Sequence, residues 1–558
     1  MRNRIETLSQ LRQILLRSTA ARCAVTGTFA AVAVISLAPN AGALNLYSGT
    51  SHGNNLEINL STTVEYSNFY RVNDPSAVLT NNINGDEGDR DFRHGFVSNQ
   101  FEVTPVLDIR DGNYGAHFSG DAYLNTSYLD KNQNNSPGTF NPISTFSNRD
   151  FTSATRNVNG QDAELLDAFV YGSQAFGAGD NQQVSLKVGR QTLLWGQSLY
   201  FSGNGIAAGQ APIDVITAQS LPNAQTQQIV LPVGQVVLTY QPNQILTFQG
   251  YYQFEYEHDK FQGVGSYFSS TDILDKGGQS ILVGPAADPQ AARLYRQGDL
   301  TPGDNNGQFG LSMQAQLGAY DLGLYGLRYD AKAPEVYAGA PGPNQPANSV
   351  GSYWLVYPRD IQIYGASLST DIGSWSVGGE VSGRRNMPLD AAGFGTPASY
   401  PGSANAGAEY PVGSTIAAQV SELYVSPPLP FFPGGLGIDS EFAMNHVVSI
   451  DKNAALLAPG RTATAGQFEI VVTPSYFNWI KNTTITFPVG ITYNLFGRSE
   501  IDSTENHGTG TFAIGVTAVY NTVWTAGLTY QDYLGAASTS LNPDADRGYL
   551  SFNIERTF

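Results

Sequence analysis

The chain has 558 residues, of which 41% are hydrophobic and only 14% charged, with a net charge of −18 and one cysteine. That acidic balance excludes nucleic acid or anionic lipid as a main partner, and a lone cysteine excludes a disulfide framework. No run of about 18 apolar residues lies beyond the N-terminus, which excludes spanning helices but not spanning strands, whose polar lumen residues hide the lipid-facing ones in a mean hydropathy of −0.20.

Residues 1–43 read as a secretory signal. Arg2, Arg4, Arg12, Arg17 and Arg22 form the basic region, Ala24–Leu37 the apolar stretch, and Ala41-Gly42-Ala43 an A-x-A cleavage site. Five arginines and one glutamate leave with it (+4), so the charge falls from −18 to −22. Cys23 leaves too, so the mature chain, residues 44–558, lacks thiol chemistry.

From there the side chains alternate. Leu56–Tyr70 places Leu56, Ile58, Leu60, Val64 and Tyr66 on one face and Glu57, Asn59, Ser61 and Glu65 on the other. Gln100–Ile109 and Tyr114–Asn125 repeat the pattern around a Gly-bearing turn at Arg110–Asn113. The clearest case is Ile245–Glu257. There Leu246, Phe248, Gly250, Tyr252, Phe254 and Tyr256 alternate with Thr247, Gln249, Tyr251, Gln253, Glu255 and Glu257. A run of about a dozen residues exceeds an ordinary strand and suits a tilted crossing of a bilayer, which needs ~9–11.

Connections alternate between short (Phe176–Asp180, Gln241–Gln244, Gly318–Asp321, Asp371–Ser374) and long (Thr126–Asp162, Gly196–Pro232, His258–Asn306, Lys332–Tyr357). The hairpins continue to Leu550–Phe558, where Leu550, Phe552, Ile554 and Phe558 share one face and Arg556 interrupts it. The pattern predicts one transmembrane antiparallel β-barrel of about 18 strands, with 16 tolerable. Its long loops are extracellular and its short turns periplasmic. A final amphipathic strand ending in phenylalanine resembles the signal read by the barrel-assembly machinery of bacterial outer membranes.

The inward parity carries Glu57, Glu65, Glu102, Asp108, Asp121, Glu255, Glu257, Glu380, Asp439, Glu441, Glu469 and Glu555 against Arg110, Lys187 and Arg384. Such a lumen favours cations, unless the acids are spent in hydrogen-bonded networks. Val184–Val188 would put Arg190 in lipid, at ~2–4 kcal/mol if mid-membrane. A bulge at Gly189-Arg190 would turn Arg190 inward and leave Leu193 and Trp195 facing lipid near the outer rim. Beyond Gly196 the alternation stops for more than 30 residues, yet Ile213, Val215, Ile216 and Leu221 keep the loop apolar. A loop of that kind packs into the mouth. The expected constriction comprises Arg190, Gln197, Asp214, Glu255, Glu257, Glu380 and Arg384.

Several blocks resemble a proteobacterial family catalogued as domain of unknown function 1302. They are Ala163–Gly172 (AELLDAFVYG), Val188–Gln191 (VGRQ), Trp195–Ser198 (WGQS), Pro212–Asp214 (PID), Tyr252–Glu255 (YQFE) and the acidic loop Asn84–Asp89 (NGDEGD). Tyr357–Ile361 (YPRDI) and Gly379–Ser382 (GEVS) resemble its later blocks. Gln197 stands where the family usually has Glu, and Arg359 where it usually has an acidic residue. The resemblance implies a porin-like protein of the Gram-negative outer membrane, associated with hydrophobic compounds and with inner-membrane exporters of the resistance-nodulation-division type. It implies no catalytic residues.

Enzymatic patterns are weak. Gly49–Gly53 fits G-x-S-x-G but lies far from any strand-to-helix elbow. Gly203–Gly209 has its third glycine misplaced for a dinucleotide loop. The six histidines are scattered, so neither metal nor cofactor is expected. Asn82, Asn84, Asp86 and Asp89 lack an EF-hand spacing and read as a solvated polar loop. The sequence therefore points to transport of small or hydrophobic molecules through a lumen partly closed by the 196–232 loop. The alternatives are a barrel-embedded hydrolase or a purely structural outer-membrane protein. The expected surroundings are outer-membrane lipid and lipopolysaccharide.

Overall fold

A computed structural model describes residues 43–51, 54–143, 147–222, 224, 226–274, 276–305, 307–397 and 407–558. The expected signal peptide lies outside them, save for Ala43. Eighteen antiparallel strands close into a barrel, beginning with Asn54–Arg71 and ending with Tyr549–Thr557. The seam is the ladder from Thr63↔Thr557 to Arg71↔Tyr549. Alternation explains the closure, because each strand has one apolar face that needs lipid and one polar face that needs a lumen.

The outer face is greasy: Phe101, Leu165, Leu238, Leu311, Val381 and Val420 are all exposed. Tyr114, Tyr320, Trp375, Tyr520 and Trp524 are exposed beside the short turns, where they form an aromatic girdle at one interface. Arg556 sits in that girdle with its guanidinium 5.1 Å from the Trp524 ring and 4.2 Å from Phe558. Its charge is thus placed at the membrane edge rather than in the hydrocarbon. Leu44–Ser51 pairs with the start of the first strand, below the point where Phe558 ends the last.

Strand Tyr114–Asn125 has the predicted bounds. Two features depart from expectation. First, the strand Gln182–Gln191 keeps an unbroken register with both neighbours, so no bulge lies at Gly189-Arg190. Arg190 keeps the lipid-facing parity but lies at the outer end of the strand. There it donates to Glu255 Oε1 (2.5 Å), lies 3.8 Å from Glu257 and donates to the Pro232 carbonyl (3.2 Å). A paired arginine at the rim avoids the mid-membrane cost, so the parity need not flip. Second, Trp195 is only 5% exposed and faces the lumen, with Leu193 packed beside it.

The extracellular loops carry structure of their own. Glu335–Gly339, Ser349–Val356, Arg293–Arg296 and Ser280–Leu282 form a four-stranded sheet in which the second and third strands run parallel. The acidic loop is not solvated, contrary to the sequence reading. It forms the short helix Glu87–Asp91, and Asp86, Glu87, Asp89 and Asp91 are buried. Asp89 is held by Arg71 (2.9 Å) and Arg547 (3.2 Å), both fully buried, because the pairing of the first and last strands at the seam brings these arginines together beneath it. Among the described residues no group of three or more His, Cys, Asp or Glu side chains is arranged to hold a metal ion.

Candidate functional site

The connection from 192 to 232 leaves the strand Gln182–Gln191 and turns into the barrel. On one side it meets the strands Trp375–Pro388, Val412–Val425 and Leu436–Lys452. Glu441 Oε2 accepts the backbone N–H groups of Leu199 (3.0 Å), Tyr200 and Phe201 (3.0 Å). Successive N–H groups converging on one anion form a nest, here filled by the protein's own carboxylate. Glu380 accepts from Gln197 N (2.5 Å) and Ile206 N (2.8 Å), and from the Gln419 side chain (3.1 Å). Arg384 donates to the carbonyls of Gly203 and Gly205, both at 2.9 Å. Two carboxylates therefore hold the loop's donors and one guanidinium its acceptors.

The grip needs a bare backbone. Gly196 has φ +99°, and a Cβ built there would lie 2.1 Å from Glu380 Oε2. Only glycine permits both the conformation and the approach. Beside the grip, Leu199, Tyr200 and Phe201 bury against Leu423, Ala443, Val471 and Ala513 from the wall.

The other end of the loop reaches the opposite wall. Gln228 donates to Glu102, to Thr104 Oγ1 (3.2 Å) and to Asp121 Oδ1 (3.4 Å), on the strands Gly95–Asp111 and Tyr114–Asn125. These strands lie nearly halfway round the barrel from Leu436–Lys452. Between the ends, Asp214 caps the short helix Val215–Ser220 by accepting from Thr217 N (2.8 Å). Lys260 ties Asp214 (3.5 Å) to Glu164. The loop thus crosses the lumen from wall to wall.

Part of the lumen wall is apolar. Val237, Tyr251, Tyr325, Leu327, Tyr329 and Ile363 point inward and pack with Trp195 and Ile206 of the loop. The Trp195 ring lies 5.1 Å from Tyr251 and 5.7 Å from Tyr325, and its Nε1 donates to Gln249 Oε1 (2.7 Å).

Of the residues expected at a constriction, Glu380, Arg384 and Gln197 meet in the loop grip and Asp214 lies within the loop. Arg190, Glu255 and Glu257 stand apart at the outer rim. Of the two readings of the inward acids, the hydrogen-bonded network holds for four of them. Glu102, Asp121, Glu380 and Glu441 are buried and engaged with the loop, because a buried carboxylate must find donors. Sequence reasoning placed Glu441 among the inward acids but not in the grip. No pattern announces a carboxylate whose partners are main-chain N–H groups more than 200 residues away.

The model of the family described as "Protein of unknown function (DUF1302)" matches residues 24–558. No curated protein matches the chain. Among solved structures it is similar to OccAB4 of Acinetobacter baumannii, at 7% identity and TM-score 0.43, covering 90% of this chain and 98% of that one. OccAB1 of the same organism gives 10% and 0.42, covering 90% and 96%. A BenF-like porin from Pseudomonas fluorescens Pf-5 gives 9% and 0.40, covering 90% and 98%.

Proposed function

The chain belongs to the DUF1302 family of proteins of unknown function. From its barrel and loop we propose that it is an outer-membrane porin-like transport protein whose lumen is held closed at rest and opens for small, predominantly apolar molecules. One observation carries this reading. The 192–232 loop is fastened to opposite walls and packs an aromatic face against inward-pointing Tyr251, Tyr325 and Ile363. A water-filled diffusion pore has no use for such a face, since apolar wall repels ions and hydrated solutes. The girdle at the short turns and the final strand support insertion in the outer membrane by the assembly machinery, with lipid and lipopolysaccharide around the barrel. Export through a cleaved signal and partnership with an inner-membrane exporter belong to the same proposal. The role is transport rather than catalysis.

The test uses the full mature chain in planar bilayers and in vesicles with a lipopolysaccharide outer leaflet. The expected result is negligible ion conductance for the wild type, faster entry of radiolabelled toluene than in protein-free vesicles, and steady conductance once residues 197–206 are deleted. Wild-type conductance equal to that of an open porin, with no effect on toluene entry, would falsify the reading.

A further inference from the structure

Between the loop and the extracellular connections lies a partly open cavity of about 100 Å3. Its apolar walls include Ala207, Ala208, Ala211 and Ile213, small side chains that leave the space open. Its polar lining residues include Asp259, Lys332 and Ser202. Asp259 and Lys332 come from two different extracellular connections, and the Asp259 N–H donates to the Lys332 carbonyl (3.0 Å).

Lys332 is only 6% exposed. Its ammonium donates to Gln308 Oε1 (2.9 Å) and stands 4.8 Å from the centre of the Tyr256 ring. An ammonium has three donors, and among the described residues no carboxylate lies in salt-bridge contact with this one. Asp330, Asp259 and Glu257 surround it at longer range. Asp259 gives one oxygen to Ile213 N (2.8 Å), which leaves capacity on the other. Burial pushes the Lys332 ammonium down to about 8 and the Asp259 carboxyl up to about 6.

A donor short of an acceptor and a carboxylate with capacity to spare, both lining an apolar chamber, specify what fits. Three carboxylates already surround one ammonium, so a further anion would be repelled, and an ammonium ligand, which has donors only, offers Lys332 no acceptor. A neutral hydroxyl accepts from Lys332 and donates to Asp259. We propose that this cavity is a binding station for a small uncharged hydroxylated apolar molecule, an alcohol, with its hydroxyl between Lys332 and Asp259 and its carbons against the alanines. The volume is below the ~150 Å3 that admits benzene in an engineered cavity, so a chain of about four carbons is the right scale. As the station of a transported substrate this inference rests on the transport reading above, but the binding itself does not.

The test is ligand-observed saturation-transfer NMR on the full mature chain in detergent, with 1-butanol, butyrate and butylammonium as separate probes. The wild type should bind 1-butanol in preference to both ions. Ala211→Leu fills the chamber without touching either charge and should weaken butanol binding at least tenfold. Lys332→Met should weaken it about tenfold, the loss of about 1.4 kcal/mol. Butyrate or butylammonium binding as tightly as butanol would overturn the hydroxyl assignment. Absent butanol binding, or binding unmoved by Ala211→Leu, would overturn the site. Because no flux is measured, failure here leaves the transport reading standing. Conversely, an open, toluene-indifferent wild type with intact butanol binding would remove the transport reading alone.

Discussion

Replacing Glu441 by alanine should unfasten the loop. One oxygen of this buried side chain accepts three successive N–H groups, those of Leu199, Tyr200 and Phe201. A buried donor left without an acceptor costs about 1–3 kcal/mol. Water from the lumen can enter the vacated space, so the low end of that range applies to each, for a total of about 3 kcal/mol. At 1.4 kcal/mol per tenfold, this shifts the closed-to-open ratio on the order of a hundredfold. Glu441→Gln retains an oxygen acceptor at the same place, so its effect should be smaller. The assay is the frequency of open bursts in planar bilayers, with the folded barrel verified by its heat-modifiable mobility on a gel. A folded Glu441→Ala protein as silent as the wild type would refute the reasoning.

Other perturbations test separate parts of the structure. Arg384→Ala removes the donor to the Gly203 and Gly205 carbonyls and should also raise open-burst frequency; a silent, folded variant would show that the guanidinium is dispensable. Gly189→Ala places a Cβ 2.2 Å from the Ala168 carbonyl at φ +134°, so the yield of heat-modifiable barrel should drop, and a wild-type yield would contradict the geometry. Arg547→Met leaves Asp89 without one of its two buried partners, at about 3–5 kcal/mol, and should speed proteolysis of the outer loops without opening the channel. Burial, with Asp502 nearby, pushes Glu505 in the outer 497–509 loop from 4.5 up to about 8. The folded state therefore keeps a proton that the unfolded chain releases. The stabilisation is full below pH 4.5 and is lost as pH rises through 8. Hydrogen exchange in this loop should be slower at pH 6 than at pH 8 once corrected for intrinsic rates, and equal protection would count against the shift.

The barrel was legible because its cause is local. A strand such as Tyr114–Asn125 must show lipid one face and the lumen the other, and that requirement is written at every second residue. Residues 280–296 and 335–356 gave no such signal. Their sheet joins strands as short as Ser280–Leu282 and a parallel pair from two connections, so neither length nor alternation marks them. Arg190 was misread because parity was weighed without depth: at the rim, Glu255 is within reach and lipid is not compulsory. Trp195 was misread because the alternation was carried past Gln191, where the strand ends. The acidic loop at 86–91 looked soluble in isolation, since its counter-charges, Arg71 and Arg547, lie at opposite ends of the chain and meet only when the seam closes.

The fastening of the loop has a consequence for how such a barrel can diversify. Glu380, Glu441 and Arg384 take hold of peptide groups, which every residue except proline supplies in full. Substitutions at Ser198 or Asn204 therefore leave those clasps in place. A relative could retune what it admits by rewriting the crossing segment's side chains while inheriting its lock unchanged.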